Sequence, residues 1–309
     1  MIASPWGPLA VSDAHVHFFS RNFFSSLAAQ KPGMTIESIG QTLGWPMPGD
    51  DPATLAAAWA AELDRHGVSR AALIASAPGD EYSVEAAVAA YPRRFFGYAM
   101  INPLAQDAVA RVQGALDRNR LHGVCLFPAM HRYPINGEAA SAILDVVHAT
   151  RPHTIVFVHC GALSVGVRDK LGLPSPFDLR YSNPVDLHAA ALRYPQLRFV
   201  IPHFGAGYFR EALMVADLCA NVYLDTSSSN RWMQYEPALL DLRTVFRRTL
   251  DLLGPRRLLF GTDSSFFPRG WHAAIFEAQA KAVYELGISQ HDAALIFGGN
   301  LERLMGAAG

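Results

Sequence analysis

The chain has 309 residues, 50% hydrophobic and 17% charged, enough for one large α/β barrel or two smaller domains. Lys+Arg number 26 against Asp+Glu 27, a formal net charge of -1, so no overall basic field draws in nucleic acid or an anionic membrane, and a small molecule becomes the expected partner. No basic flank leads into an apolar run, no stretch approaches the ~20 apolar residues of a membrane span, and Cys125, Cys160 and Cys219 are too scattered for a disulfide framework, which together predict a cytoplasmic protein with reduced thiols.

The first β-rich run, "VSDAHVHFF" from Val11, alternates so that Asp13, His15 and His17 share one face and Ala14, Val16 and Phe18 the other. A polar face on a buried strand calls for a partner. The next segment, Phe18 to Asp50, carries five phenylalanine or tryptophan residues and "GWPMPGDDP", and is too long for an ordinary strand-to-helix loop. It reads as a lid over the mouth of the fold. Asp51 and Pro52 then supply an N-cap and a first-turn proline, Leu55, Trp59 and Leu63 recur on one face, and Gly67 ends the predicted helix.

From there one rhythm repeats. The β-rich runs are "AALIA" from Ala71, "FFGYAMI" from Phe95, "GVCLFPA" from Gly123, "TIVFVHC" from Thr154, "RFVIPHF" from Arg198, "NVYLDTS" from Asn221 and "RLLFGTD" from Arg257. Helical patterns such as "NPVDLHAAALRYP" and "EAQAKAVYELG" lie between them. Eight apolar strands alternating with helices predict a parallel (β/α)8 TIM barrel over residues 1–309 as one domain, with an aromatic-rich insertion at 18–50 after the first strand. No GxGxxG or Walker-type loop supports a nucleotide fold.

His15, His17, His159, His203 and Asp263 all fall at carboxyl ends of these strands, the face where barrels build their sites. Taken singly, each histidine is better explained by a hydrogen-bonded core or rim position than by metal binding. Together, four histidines and an aspartate at one end of a barrel are costly to desolvate without a cation or a catalytic network. Neutral imidazoles with one carboxylate suit a divalent metal, Zn2+ first, with Mn2+, Fe2+ or Co2+ as alternatives. Asp13 is a candidate to orient a ligand histidine, and Asp225 to do the same or to tie down its own loop.

The motifs "DAHVH", "VFVHCG", "IPHFGAG", "LLFGTDSS" and "GGNLERLM" resemble the amidohydrolase superfamily, specifically the branch that includes aminocarboxymuconate semialdehyde decarboxylase. The resemblance implies His15, His17, His159 and Asp263 as metal ligands, with His203 and Asp263 as catalytic residues. Binuclear members place a carboxylated lysine on the fourth strand, where "GVCL" has Cys125, so the resemblance implies one metal ion, with Cys125 as a small packing residue or, alternatively, a thiolate ligand.

The expected activity is hydrolysis of a small cyclic or aromatic carboxylic acid, lactone or amide through metal-activated water. The alternative is non-oxidative decarboxylation of an aromatic or unsaturated acid. A non-catalytic metal-binding barrel is the third reading, and the presence of the full residue set argues against it. Arg21, Arg132, Arg180, Arg231 and Arg269 are candidates to grip a carboxylate. Phe18, Phe127, Phe204, Tyr208, Trp232, Phe266 and Trp271 are candidates to line a site for a planar substrate. Neither nucleic acid nor a membrane is an expected partner, and a homodimer is left open.

Overall fold

Strands that are apolar on both faces are stable only where the sheet is covered on both sides, which a barrel ringed by helices provides. The computed structural model describes residues 1–117, 121–227, 230–236 and 239–306; Ser228 and Ser229 of "YLDTSSSN" lie outside them. A short antiparallel hairpin, β1 (Ile2–Ser4) and β2 (Gly7–Leu9), precedes the barrel. The sequence reading did not anticipate it, because three-residue strands carry no periodic signal. Trp6 anchors it by donating from Nε1 to Ile288 O at 2.7 Å and packing edge-on against Tyr284.

The barrel strands are β3 (Ser12–Phe18), β4 (Arg70–Ala75), β5 (Phe95–Ile101), β6 (Gly123–Leu126), β7 (Ile155–Val158), β8 (Arg198–Ile201), β9 (Val222–Asp225) and β10 (Leu258–Leu259). Every neighbouring pair is parallel and the spatial order follows the chain order. The ring closes where the chain after β10 meets β3: Ala14 N donates to Phe260 O at 2.8 Å, Asp263 N to His15 O at 3.0 Å and His17 N to Ser264 O at 2.7 Å. The predicted (β/α)8 barrel is the observed one.

The helix Pro52–His66 begins and ends as its residues dictate. The Asp51 side chain accepts from Ala53 N, Pro52 occupies the first turn, and Gly67 closes the helix at φ +69°. The segment after β3 is not featureless: it forms the helices Arg21–Ala28 and Ile36–Leu43, the second opened by Thr35 and Ser38, which cap each other's backbone N–H. Phe23, Phe24, Leu27 and Ile39 bury a small core of their own against Ala77, Val167, Leu171 and Leu173, at the carboxyl ends of β4 and β7.

Asp13 differs from its expected role. Its carboxylate does not touch an imidazole; it accepts from His15 N (2.9 Å), Thr262 N (3.1 Å), Thr262 Oγ1 (2.5 Å) and Trp271 Nε1 (2.8 Å), and so ties β3 to the chain that closes the barrel. Burial pushes its carboxyl up to about 7, opposed by the bonds from Thr262, His15 and Trp271. Removing the acceptor leaves these buried donors without a partner, so Asp13→Ala should lower unfolding stability in urea by about 3 kcal/mol or more. A loss within about 0.5 kcal/mol, the range of ordinary surface changes, would show that the closure does not depend on it.

Candidate metal centre

The carboxyl ends of β3, β7 and β8 deliver His15, His17, His159 and His203, and the chain beyond β10 delivers Asp263, so all five predicted residues meet in one place. His15 Nε2 and His17 Nε2 lie 3.3 Å apart, with Asp263 Oδ1 at 3.7 and 3.4 Å from them. The His15 ring centre lies 5.3 Å from that of His159 and 5.0 Å from that of His203. Two groups that share His15, one with His159 and His203 and the other with His17 and Asp263, each bring their donor atoms within 4.8 Å of one another, close enough to hold a cation.

What turns these nitrogens inward is what occupies the other side of each ring. His15 Nδ1 donates to Asp225 Oδ2 at 2.8 Å and lies 3.0 Å from Ser227 Oγ. His17 Nδ1 faces Ser76 Oγ at 3.1 Å, and His159 Nδ1 faces Cys125 Sγ at 3.5 Å. His159 Nε2 is buried and has no hydrogen-bond partner among the described residues. Burial pushes His15 down to about 3, and burial together with neighbouring imidazoles pushes His17 and His159 down as well, so all three rings are neutral. Burial lifts Asp225 to about 6, which leaves it ionised at neutral pH beneath the His15 N–H. Of the two predicted orienting carboxylates, Asp225 is the one that acts on a ring.

Ser227 escaped the sequence reading. Its Oγ sits 2.9 Å from His203 Nδ1 as well as 3.0 Å from His15 Nδ1, and its N–H donates to Asp225. It lies 212 positions from His15, so no local pattern could reveal the contact.

The backbone here is held in unfavourable conformations. His203, Phe204, Gly205, Ala206 and Gly207 run consecutively at φ between +44° and +99°, and Asp263 sits at φ +58°. Non-glycine residues in this region cost roughly 1–2 kcal/mol each. Close packing requires glycine beside them: a Cβ on Gly161 would fall 2.1 Å from Gly205 O, and one on Gly261 would fall 2.8 Å from the His15 Cβ.

A cavity of about 520 Å³ opens onto the cluster, with His17, His159, His203 and Asp263 in its floor. Loss of surrounding water pushes the partly accessible Asp263 carboxyl up, opposed by the Arg269 guanidinium; with 31% of its side chain accessible, it faces the cavity. Arg269 is the one member of the five predicted arginines that lines the cavity. Arg21 instead pairs with Asp50, Arg132 donates to Pro176 O, Arg180 pairs with Asp178, and Arg231 is exposed elsewhere. Phe127 and Phe266 line the cavity as expected. Phe18 and Phe204 are buried in the barrel, Trp271 holds Asp13, Trp232 packs on Phe209, and Tyr208 lies outside the lining. Phe19, Phe23 and Trp45, from the aromatic insertion, and Arg168, Lys170 and Phe177, which the sequence did not mark, also line the cavity. The length of the loop after "VFVHCG" was the available signal for the last three.

Trp45 stacks on Phe266 with ring centres 3.8 Å apart and planes 10° apart, joining the insertion to the loop beyond β10. Lys170 Nζ lies 5.3 Å from the Trp45 ring centre and Arg269 Cζ 4.6 Å from that of Phe266.

Fold and cluster together define a class: a (β/α)8-barrel enzyme with a histidine-rich centre at the carboxyl ends of its strands. The amidohydrolase family model matches residues 12–306, and the chain belongs to that family. Protein fluG of Emericella nidulans is 28% identical over 144 residues, which cover 46% of this chain and 15% of that one, so the chain matches only a small part of the curated relative's length. Among solved structures, a 5-carboxyvanillate decarboxylase from Novosphingobium aromaticivorans with bound manganese and a substituted nitrobenzoic acid is similar at TM-score 0.64, with 15% identity over 96% of this chain and 97% of that one. A probable 2-pyrone-4,6-dicarboxylic acid hydrolase from Acinetobacter baumannii, with citric acid bound, is similar at TM-score 0.61, with 15% identity over 96% and 100%. These two likenesses are of fold.

Because Asp263 is held left-handed, glycine should be tolerated there better than alanine. Metal-free Asp263→Gly should exceed Asp263→Ala in unfolding free energy by about 1 kcal/mol, measured in urea. Equal stability would mean that the φ of Asp263 carries no strain.

Proposed function

We propose that the chain is a metal-dependent hydrolase of small cyclic or aromatic carboxylic acids, lactones or amides, with one divalent cation held by His15, His17, His159 and Asp263. The observation that carries this reading is the buried, unpartnered Nε2 of His159, on a ring whose centre lies 5.3 Å from that of His15 and 6.2 Å from that of His17, whose own Nε2 atoms face each other. Neutral imidazoles with their Nδ1 atoms already partnered, together with one carboxylate, fit such an ion, and the donor set favours Zn2+, with Mn2+, Fe2+ or Co2+ as alternatives. When bound, the cation lowers the pKa of water and polarises a substrate oxygen.

The chain's own groups supply the rest. Asp263, reachable from the cavity, takes a proton from the attacking water and returns it to the leaving group. His203, held against Ser227 Oγ, steadies the charge that develops on the substrate oxygen. Arg269 spends Nη2 on Asp263 O and Ser265 Oγ, which leaves the other edge of its guanidinium for a substrate carboxylate. Residues 18–50 act as a lid of the single domain 1–309, with Trp45 as its contact to Phe266, and exclude water during reaction.

Decarboxylation of an aromatic or unsaturated acid is the second reading, favoured by the comparable fold likeness to the decarboxylase; the same acid and imidazole would then protonate carbon. No described helix is long and apolar enough to cross a membrane, and the three free, buried cysteines support a reducing, cytoplasmic setting. A soluble small molecule, not nucleic acid or membrane, is the proposed partner, and a homodimer is compatible with this.

Assay of the metal-loaded protein on aromatic acids, lactones and amides, with carbon dioxide and ring or amide opening followed separately, decides between the two reactions. Opening without carbon dioxide is the expected result; carbon dioxide alone overturns the hydrolase reading. His15→Ala, His17→Ala and His159→Ala should lose metal and rate together. His203→Asn should keep its metal and lose roughly 10²–10⁴-fold in turnover. Asp263→Asn should retain part of the metal and almost none of the rate. If His203→Asn empties the site while His159→Ala stays loaded and active, the assigned roles are wrong. Trp45→Ala should lower turnover with little change in stability; an unchanged rate and substrate range would remove the lid.

A further inference from the structure

The ring of His159 stacks on Phe127, with centres 3.8 Å apart, and has Phe157 at 5.6 Å. These neighbours offer its nitrogens no acceptor. Among the described residues one polar contact reaches the ring, Cys125 Sγ at 3.5 Å from Nδ1, and both side chains are buried. A neutral imidazole carries a single proton, so Nε2 can ligate a cation only if that proton stays on Nδ1. His15 meets this requirement with a carboxylate and His17 with a hydroxyl.

We infer that Cys125 is the positioning residue of His159: its sulfur accepts the Nδ1 proton and keeps the Nε2 lone pair turned into the metal centre. Cys125 is then neither a ligand nor simple packing. Sulfur is a weak acceptor, so it selects the tautomer without making the ring as strong a donor as the carboxylate-backed His15. The inference rests on the proposal that His159 holds the metal, and the test separates failure of one from failure of the other.

Full-length, metal-free protein is titrated with Zn2+ against a competing chelator, and its ring nitrogens are followed by 15N NMR. Cys125→Ala should bind Zn2+ roughly 10–100-fold more weakly, the usual cost of losing a ligand's hydrogen-bond partner, and in its metal-free form the His159 proton should redistribute between Nδ1 and Nε2. Cys125→Val, which fills the space but accepts nothing, should behave as alanine does. Cys125→Ser should retain most of the affinity and the Nδ1–H form. Unfolding curves of the metal-free variants should show them folded. Full affinity in Cys125→Ala and Cys125→Val, or equal weakening in Cys125→Ser, overturns the inference. Full Zn2+ binding by His159→Ala overturns the metal reading beneath it.

Discussion

Three uncharged imidazoles, His15 and His159 buried and His17 nearly so, have their Nδ1 atoms taken by Asp225, Ser76 and Cys125, and the rings of His15 and His17 turn Nε2 toward Asp263. That arrangement is the constraint from which the rest of the site follows. A buried nitrogen without a partner, as at His159, costs on the order of 1–3 kcal/mol. The convergence of these rings needs strands that end at one level, which eight parallel strands in a closed ring provide. It also needs a closed seam, which Asp13 supplies by gathering donors from β3, Thr262 and Trp271.

Placing the last members of the set requires a strained backbone. His203, Phe204, Ala206 and Asp263 all adopt positive φ without being glycine. At roughly 1–2 kcal/mol each, their strain is comparable to much of the net stability of an ordinary domain, so the surrounding core has to over-determine them. It does so by close approach: Gly161 and Gly261 leave no room for a side chain against the turn after β8 and against His15. The strain sits beside the residues assigned to proton transfer, where positioning matters most.

Much of the frame was legible because it depends on local pattern. Continuous apolar runs separated by capped helices announce a covered parallel sheet, and the Asp51, Pro52 and Gly67 signals mark a real helix. His15, His17, His159, His203 and Asp263 were readable because barrel sites collect at strand ends. What was hidden depends on contacts between distant positions. The roles of Asp13 and Asp225 are distinguishable only once Asp13 is seen against Thr262 and Trp271 and the His15 ring against Asp225, and Ser227 and Ser76 reach the rings across 212 and 59 positions. Four of the five arginines nominated from loop position turned out to serve loop structure or face solvent, because position after a strand does not say where a long side chain points. The contact between Cys125 Sγ and His159 Nδ1 likewise has no signature in "GVCL", where a cysteine reads as packing.

The central claim is that one cation is shared by His15, His17, His159 and Asp263. Anomalous X-ray scattering from crystals of zinc-loaded protein, collected on both sides of the metal's absorption edge, tests it most directly. The account predicts a single peak per chain, within bonding distance of the three Nε2 atoms and an Asp263 oxygen. Two neighbouring peaks, or a peak bound through Cys125 sulfur and away from His159, would contradict it.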